Sequence, residues 1–595
     1  MRLAYALMFL AILGAAPAYA QRNGGGALPP SIASAGITQT EWAAIRQQAR
    51  MQARRAGVAE AALLAAAEGA GTNLARSGRF DAAGLQQAIF DRLADQADQI
   101  ADLQRRLGTI AGAADPGIGR VYADARTALN DGRLADADRL LSELAQRDLA
   151  ALQDAEAEVE QRRARAGETI AARGQVAYIQ ADYLAAAAFY ERAAATVAQS
   201  AIEPRWRYTM YRAEALRQRG DLFNEPEPLR EAVRLYRDVA LPLAPRELRA
   251  SDWAITWNDM GGALEVIGQR GDDESLRQSI AAYRFALEEQ TRERDPRRWA
   301  IAQNNLGTAL RQLGERGDPE AGRAAIEAHR AALTVVARRR EPELWPRMQN
   351  NLGIALLALG ENGDERALRD AIAAFRAVLE VESREQNPRH WGSVQNNLGV
   401  ALSALGERVT DVQSLRAAAA AHRASLEVWP RERYPADWAA AQGNLGRALA
   451  LLGHAGDQQA LRDSIAAFRA SLEVNTRERN PAEWARGQGS IGAAYYILGN
   501  NGDRQALRDA IVAIRLAMEV DTRERDAPSW ARHQYNLANA FASLAVSGEP
   551  ARLPDAYAAA RSALDAFRQL RDDYGVRLSQ SQIAALDAFA AANRR

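Results

Sequence analysis

The chain contains neither cysteine nor lysine. Without cysteine there is no disulfide, no thiolate nucleophile, no zinc–thiolate centre and no lipidated terminal cysteine. Without lysine there is no Schiff-base chemistry and no phosphate-loop lysine, and all 75 basic residues are arginine. A surplus of charge is missing too: 75 acidic residues balance them to a formal net charge of 0, which removes the basic excess expected of a nucleic-acid binder. The five histidines are scattered, with no pair at ligand spacing on one helix. No nucleophile elbow, phosphate loop, dinucleotide fingerprint or paired-carboxylate constellation occurs, so the expectation is a protein that is not an enzyme and needs no cofactor and no metal.

Long apolar runs are lacking except at the start. Residues 1–20, MRLAYALMFLAILGAAPAYA, place Arg2 before a short apolar run and end on Ala18-Tyr19-Ala20. That order reads as a cleaved secretory signal peptide rather than a membrane span, and it predicts a periplasmic or secreted protein with no later membrane span. Residues 21–36 are rich in Gly, Pro and Ser and read as a flexible leader. Residues 37–112 form an alanine-rich helical leader in which Ile89, Leu93, Gln96, Ile100, Leu103, Leu107 and Ile110 alternate spacings of four and three. This is the seam of a coiled coil, so residues 85–110 are a candidate homo-oligomer contact. Residues 118–200 carry two degenerate helical hairpins, broken at Asn130 to Gly132 and at Ala181-Asp182.

What the chain has in abundance is a repeat. Tryptophans stand at 206, 253, 299, 345, 391, 438, 484 and 530, spaced 46 or 47 residues apart. They mark eight units across residues 201–548, with residues 549–595 left as C-terminal capping helices. A period of this size means stacked supersecondary units. A helix-start proline stands three residues before tryptophan in five consecutive units (Pro296, Pro342, Pro388, Pro435, Pro481), and six units carry a glycine eight residues after tryptophan (Gly261, Gly307, Gly353, Gly399, Gly446, Gly492). Glycine inside a helix costs about 1 kcal/mol against alanine, so its recurrence implies close approach of another helix. A second glycine seven residues on (Gly268, Gly314, Gly360, Gly406, Gly453, Gly499) suits a left-handed helix end. A Gly-Asp pair then offers a cap for a second helix, whose inner face alternates small and bulky residues: Ala371 with Phe375, Ser464 with Phe468.

The order leucine-glycine, then alanine and an aromatic four residues later, resembles the tetratricopeptide repeat. The runs WAIAQNNLGTALRQLGERGD and LRDSIAAFRASLEVNTRERNPAEWA look like a group of bacterial tetratricopeptide proteins, over about residues 85–545. The unit departs in length, 46 residues against the usual 34. The resemblance implies an all-α, right-handed α-solenoid of tetratricopeptide-like hairpins that binds a protein or peptide partner along the concave surface lined by first helices. A different reading, a receptor for polysaccharide or cell-wall fragments, would use the tryptophans and amides.

Within the units, the tryptophans at one fixed phase read as plugs between hairpins. The Thr-Arg-Glu-Arg runs align Arg292, Arg338, Arg384, Arg431, Arg477 and Arg523 beside Glu293, Glu385, Glu432, Glu478 and Glu524, a column suited to ion pairs between units. A run Gln-Asn-Asn recurs in the central units, and its amides either face a groove or tie unit to unit. The candidate partner-binding residues are Asn304, Asn350, Asn396, Arg311, Arg447, Tyr495, Tyr496 and Tyr535. The last three stand where the seventh and eighth units depart from the repeat.

Overall fold

The computed structural model describes residues 28–34, 36–76, 80, 82–151 and 159–592. The expected signal peptide lies outside the described residues. Among those described, every regular element is helical. The chain forms two compact parts, Met1–Val335 and Val336–Arg595.

The first part opens with α1 (Pro30–Ala33), α2 (Gln39–Ala56), α3 (Glu60–Arg76) and α4 (Ala82–Ala113). Hairpins follow: α5 (Pro116–Asn130) with α6 (Leu134–Ala151), and α7 (Val159–Ile179) with α8 (Tyr183–Thr196). The repeat units begin with α9 (Ile202–Leu222) and α10 (Pro226–Arg234), which runs on through a π-helical turn, Leu235–Ala240. Then come α11 (Arg246–Gln269) with α12 (Asp273–Glu289), and α13 (Pro296–Glu315) with α14 (Pro319–Leu333). The second part holds α15 (Leu344–Glu361) with α16 (Glu365–Leu379), α17 (Pro388–Val409) with α18 (Val412–Val428), and α19 (Pro435–His454) with α20 (Gln458–Leu472). It closes with α21 (Pro481–Asn500) and α22 (Arg504–Met518), α23 (Ala527–Val546) and α24 (Leu553–Leu570), and a last helix, α25 (Asp573–Ala592). Within each part the second helix of a unit packs on the first helix of the next, as in α12 on α13 and α18 on α19, so each part is an α-solenoid.

Three features differ from the sequence expectation. Part of the presumed flexible leader is the helix α1, whose Ile32 is fully buried and lies against Gly71 of α3. The coiled-coil seam exists as a face of α4, but Ile89, Leu93, Ile100, Leu103 and Leu107 are buried in the core of their own chain, against α2, α3 and α5. Gln96 on that seam donates to the carbonyls of Ala66 and Ile179. The apolar side of this seam, Ile110 partly so, is thus packed within its own chain. At the other end, α24 is not part of a separate cap: it is the second helix of the eighth unit, packed on α23, and only α25 closes the stack.

The caps explain where the hairpins turn. Asp364 accepts from Ala367 N–H at 3.0 Å, and Asp457 and Asp503 repeat this contact at 3.0 Å each, satisfying donors that a helix start leaves open. The left-handed residue of the turn is the glycine of the Gly-Asp pair, with φ of 119° at Gly363 and 106° at Gly502. The glycines expected to end the first helix instead lie inside it: a Cβ on Gly268 would sit 2.9 Å from Leu276 Cβ, so this column admits the second helix.

The other glycine column faces a ring. A Cβ on Gly261 would meet Tyr283 Cε1 at 2.8 Å, one on Gly307 would meet His329 at 2.8 Å, and one on Gly446 would meet Phe468 at 2.8 Å. These hairpins, and that of Gly492 where Ile514 takes the place of the ring, are thus locked by a buried second-helix side chain pressed onto first-helix backbone. Replacing Gly446 by Ala is expected to destabilise the protein by about 1–3 kcal/mol, because the ring must move in a close-packed core. Gly443→Ala is the control: its Cβ would lie 3.7 Å from Ser471 Oγ, an ordinary contact. Thermal melting of both variants should show a loss for Gly446→Ala and none for Gly443→Ala.

Candidate partner-binding surface

First helices also touch one another from unit to unit, α17 on α19, α19 on α21 and α21 on α23, and so form one continuous layer backed by second helices. The amide columns lie on first helices in each part. Asn305 Nδ2 donates to Asn258 Oδ1 at 3.3 Å, Asn397 to Asn350 at 3.2 Å and Asn444 to Asn396 at 3.1 Å. These bonds run between units, so the amides tie hairpin to hairpin. Asn350 is buried, and Asn396 Oδ1 also faces His422 Nδ1 at 3.0 Å. The Oδ1 acceptors of these two candidate residues are thus engaged within the chain. Asn304, on α13 of the first part, is half-buried.

Arg311 and Arg447 are on first helices as well, one in each part. Arg311 pairs with Glu315 on its own helix, and Arg447, exposed, pairs with Glu407 of the preceding first helix at 3.1 Å. The tyrosines separate. Tyr495 turns to the second-helix side, where its hydroxyl accepts from Arg469 at 2.7 Å. It helps line an open furrow of roughly 440 Å³ between α20 and α22, together with Gln488, Asp509 and Val512. Tyr496 packs toward the core made by Leu507, Leu537 and Phe541. Tyr535 packs on Ala531 and Phe567, and its carbonyl accepts from Gln582 of α25. The eight candidates therefore do not converge on one pocket.

The arginine column has two partners. Four of the guanidiniums lie over the tryptophan ring seven residues on, at 5.5 Å for Arg338 and Trp345, 5.6 Å for Arg431 and Trp438, 5.7 Å for Arg477 and Trp484, and 5.4 Å for Arg523 and Trp530. All in the column but Arg292 pair with a carboxylate at or near the end of the next second helix, among them Glu380 for Arg338 at 3.0 Å, Glu427 for Arg384 at 2.8 Å, Glu519 for Arg477 at 2.6 Å and Asp565 for Arg523 at 2.6 Å. The acids that bridge are thus not the neighbouring glutamates of the Thr-Arg-Glu-Arg run. Arg292 is the exception, since Thr334 stands where later units carry the carboxylate. Trp206 is buried and donates to Thr256 Oγ1 of the next unit at 2.9 Å, and the other seven tryptophans are half-buried.

Sequence reasoning missed the acidic residues of the early units. Glu265 accepts from Tyr283 at 2.9 Å and, across the joint, from Gln312 at 2.9 Å. The available signal was the run WNDMGG where later units read QNNLG: Asp259 replaces an asparagine.

Two histidines sit in the ring slot. His329 and His422 are fully buried, and burial pushes each down to about 4, with Arg311 adding to the effect at His329. Neither nitrogen of His329 has a hydrogen-bond partner. An unfolded histidine takes up a proton near 6.5, whereas the buried ring resists until about 4. Its neutral form therefore supports the fold fully above pH 6.5, and that support is lost as pH falls toward 4, by up to about 3 kcal/mol. His329→Phe, which installs the residue used at Phe375 and Phe468, should match the parent at pH 7.5 and melt higher at pH 4.5. Equal acid sensitivity of the two proteins in a pH series of melting curves would contradict this assignment.

Among the described residues, no group of three or more His, Asp or Glu is arranged to hold a metal ion, and no helix is long and apolar enough to cross a membrane. No family model matches the chain, and no curated protein matches it. Solved structures similar to it include the APC/C hetero-tetramer Cut9-Hcn1, at 12% identity over 85% of this chain and 92% of that one with a TM-score of 0.33. The P58(IPK) TPR domain follows at 12% identity, 71% and 99% coverage and a TM-score of 0.19. A circular tandem repeat protein with novel repeat topology gives 18% identity, 82% and 98% coverage and a TM-score of 0.20. The tetratricopeptide-like character of the units rests on their own geometry: paired helices, glycine against ring, and first helices in one layer.

Proposed function

We propose that the protein is a periplasmic or secreted scaffold that holds a protein or peptide partner along its first-helix layer. One observation carries this reading. The packing columns repeat from unit to unit, whereas a neighbouring column on the open side of the first helices does not: it reads Thr308, Ile354, Val400, Arg447, Ala493 and Asn539. None of these is fully buried. A constant frame with a varied accessible face is the arrangement by which stacked repeats present an extended binding surface. The glycan-receptor reading has less support, because the tryptophans that would stack on sugar rings are half-buried, with arginines over several of them.

A photo-crosslinking residue placed at Val400, on this face, should capture a partner from a periplasmic extract of the source cell. The same residue at Ala466, on a second helix, should not. Capture from both positions alike, or from Ala466 only, would contradict the assignment of the binding face. Export predicts that the mature protein recovered from the periplasm begins at Gln21; N-terminal sequencing that returned Met1 would overturn the signal-peptide reading.

A further inference from the structure

The second helices of the second part share one exposed stripe. In α18 it runs Arg416, Ala420, Arg423 and Glu427, with spacings of four, three and four that keep to one side of a helix. The same stripe starts at Arg369 in α16, at Arg462 in α20 and at Arg508 in α22, and every member of it is exposed. In each, two arginines stand seven residues apart, about 10 Å along the axis, with alanine between them or, in α22, valine.

The charges of this stripe do not cancel. Its closing glutamate is taken in every case by an arginine of the other column: Glu380 by Arg338, Glu427 by Arg384, Glu473 by Arg431 and Glu519 by Arg477. Arg369 pairs with Glu365, and Arg508 with Glu549. The remaining six, Arg376, Arg416, Arg423, Arg462, Arg469 and Arg515, meet no carboxylate within ion-pair distance among the described residues. Arg469 donates to the Tyr495 hydroxyl and Arg515 lies over the Phe541 ring at 5.6 Å, contacts that leave both positive charges uncompensated. Flanking acids are few: Asp370, Asp463 and Asp509 are half-buried beside the stripe, and α18 has Ala417 at that place. With Glu427 paired, the outer side of α18 presents positive charge alone.

This excess stands in a chain whose formal net charge is 0. Packing does not call for it, since the stripe is exposed throughout. Helix formation does not call for it either, because glutamate and glutamine serve a helix about as well as arginine. Solubility is met by interspersed charges of both signs. Yet the residue after the ring slot is arginine in six units running, from Arg284 to Arg515.

Two accessible columns thus behave oppositely. The one on the first helices changes from unit to unit, which suits a partner with a sequence and shape of its own. The one on the second helices is constant and cationic, which suits a ligand that repeats one anionic group. A bilayer surface carrying anionic phospholipids is such a ligand: its phosphates recur with no sequence to read, and each basic residue brought near them adds to the attraction. Guanidinium is the cation that matches phosphate with two parallel hydrogen bonds. The alanines between the arginines leave headgroups room to approach, and Val512, 58% exposed, adds an apolar contact at one end.

We propose that the exposed side of α16, α18, α20 and α22 docks the protein onto an anionic phospholipid surface, with the six uncompensated arginines on lipid phosphates. The first helices of the same part then hold their partner on the side away from the bilayer.

Co-sedimentation with vesicles tests this, using the full chain, vesicles of phosphatidylcholine alone and vesicles of an equal mixture with phosphatidylglycerol. The chain should bind the mixed vesicles at least tenfold more tightly than the neutral ones, and high salt should release it. Arg416→Gln with Arg423→Gln should weaken binding at least fivefold, and Arg416→Lys with Arg423→Lys, which keeps the charge, should retain most of it. Both arginines are exposed and meet no carboxylate, so neither double variant should shift the melting temperature. Arg486→Gln with Arg532→Gln, on the first helices α21 and α23, removes the same charge elsewhere and should leave vesicle binding unchanged. Equal binding to the two vesicle compositions, or equal weakening by the α18 pair and the first-helix pair, would overturn the proposal. Retention on an acidic protein or a soluble polyanion without vesicle binding would overturn it too, as would capture of a protein from Ala466, which lies within this face. The Val400 crosslink reads the first-helix face, so vesicle binding can fail while that capture stands, and the reverse.

Discussion

The contact on which the structure depends is that of a second-helix side chain with first-helix backbone inside each hairpin. Tyr283 on Gly261, His329 on Gly307, Phe375 on Gly353 and Phe468 on Gly446 are versions of one contact. Glycine removes the Cβ that would hold the helices apart, and the ring fills the space, so each hairpin closes to native density at the cost of helix propensity. The second glycine of each first helix does the same nearer the turn, where Leu276, Leu368 and Leu461 approach. With the hairpins fixed in width, second helices present uniform surfaces to the first helix of the next unit, and stacking follows.

Stacking then needs only modest ties. The exposed arginine–carboxylate bridges are worth up to about 1 kcal/mol each. The amide bonds between units are more consequential because Asn350 is buried, and a buried amide without its partner would be costly. The arginines over the tryptophans join the two effects: one side chain covers a half-buried ring and reaches a carboxylate 42 residues away, as Arg477 does with Trp484 and Glu519. With no lysine in the chain, this role falls to the planar cation that stacks best on aromatic rings.

Much of this was legible in the sequence. The tryptophan period gave the eight hairpins, and the glycine column gave close helix contact, because backbone exclusion by Cβ is a local rule. The Gly-Asp pairs gave the caps. The failures came from properties that a linear pattern does not hold. Both glycine columns look alike in a string, so only geometry separates the helical Gly360 from the left-handed Gly363. The α4 seam has coiled-coil spacing whether it meets a second copy or its own chain, and here it meets its own chain. Asn350 and Asn396 could face outward or along the layer, and the choice depends on the stagger between units.

The central claim is that the hairpin, closed by the contact of glycine and ring, is the unit of the fold. Hydrogen exchange resolved to single helices tests it most directly. The account predicts that both helices of a hairpin, such as α19 and α20, lose protection together with one opening free energy, and that α25 opens before the hairpins inward of it. Independent opening, with second helices exchanging while their first helices stay protected, would contradict it.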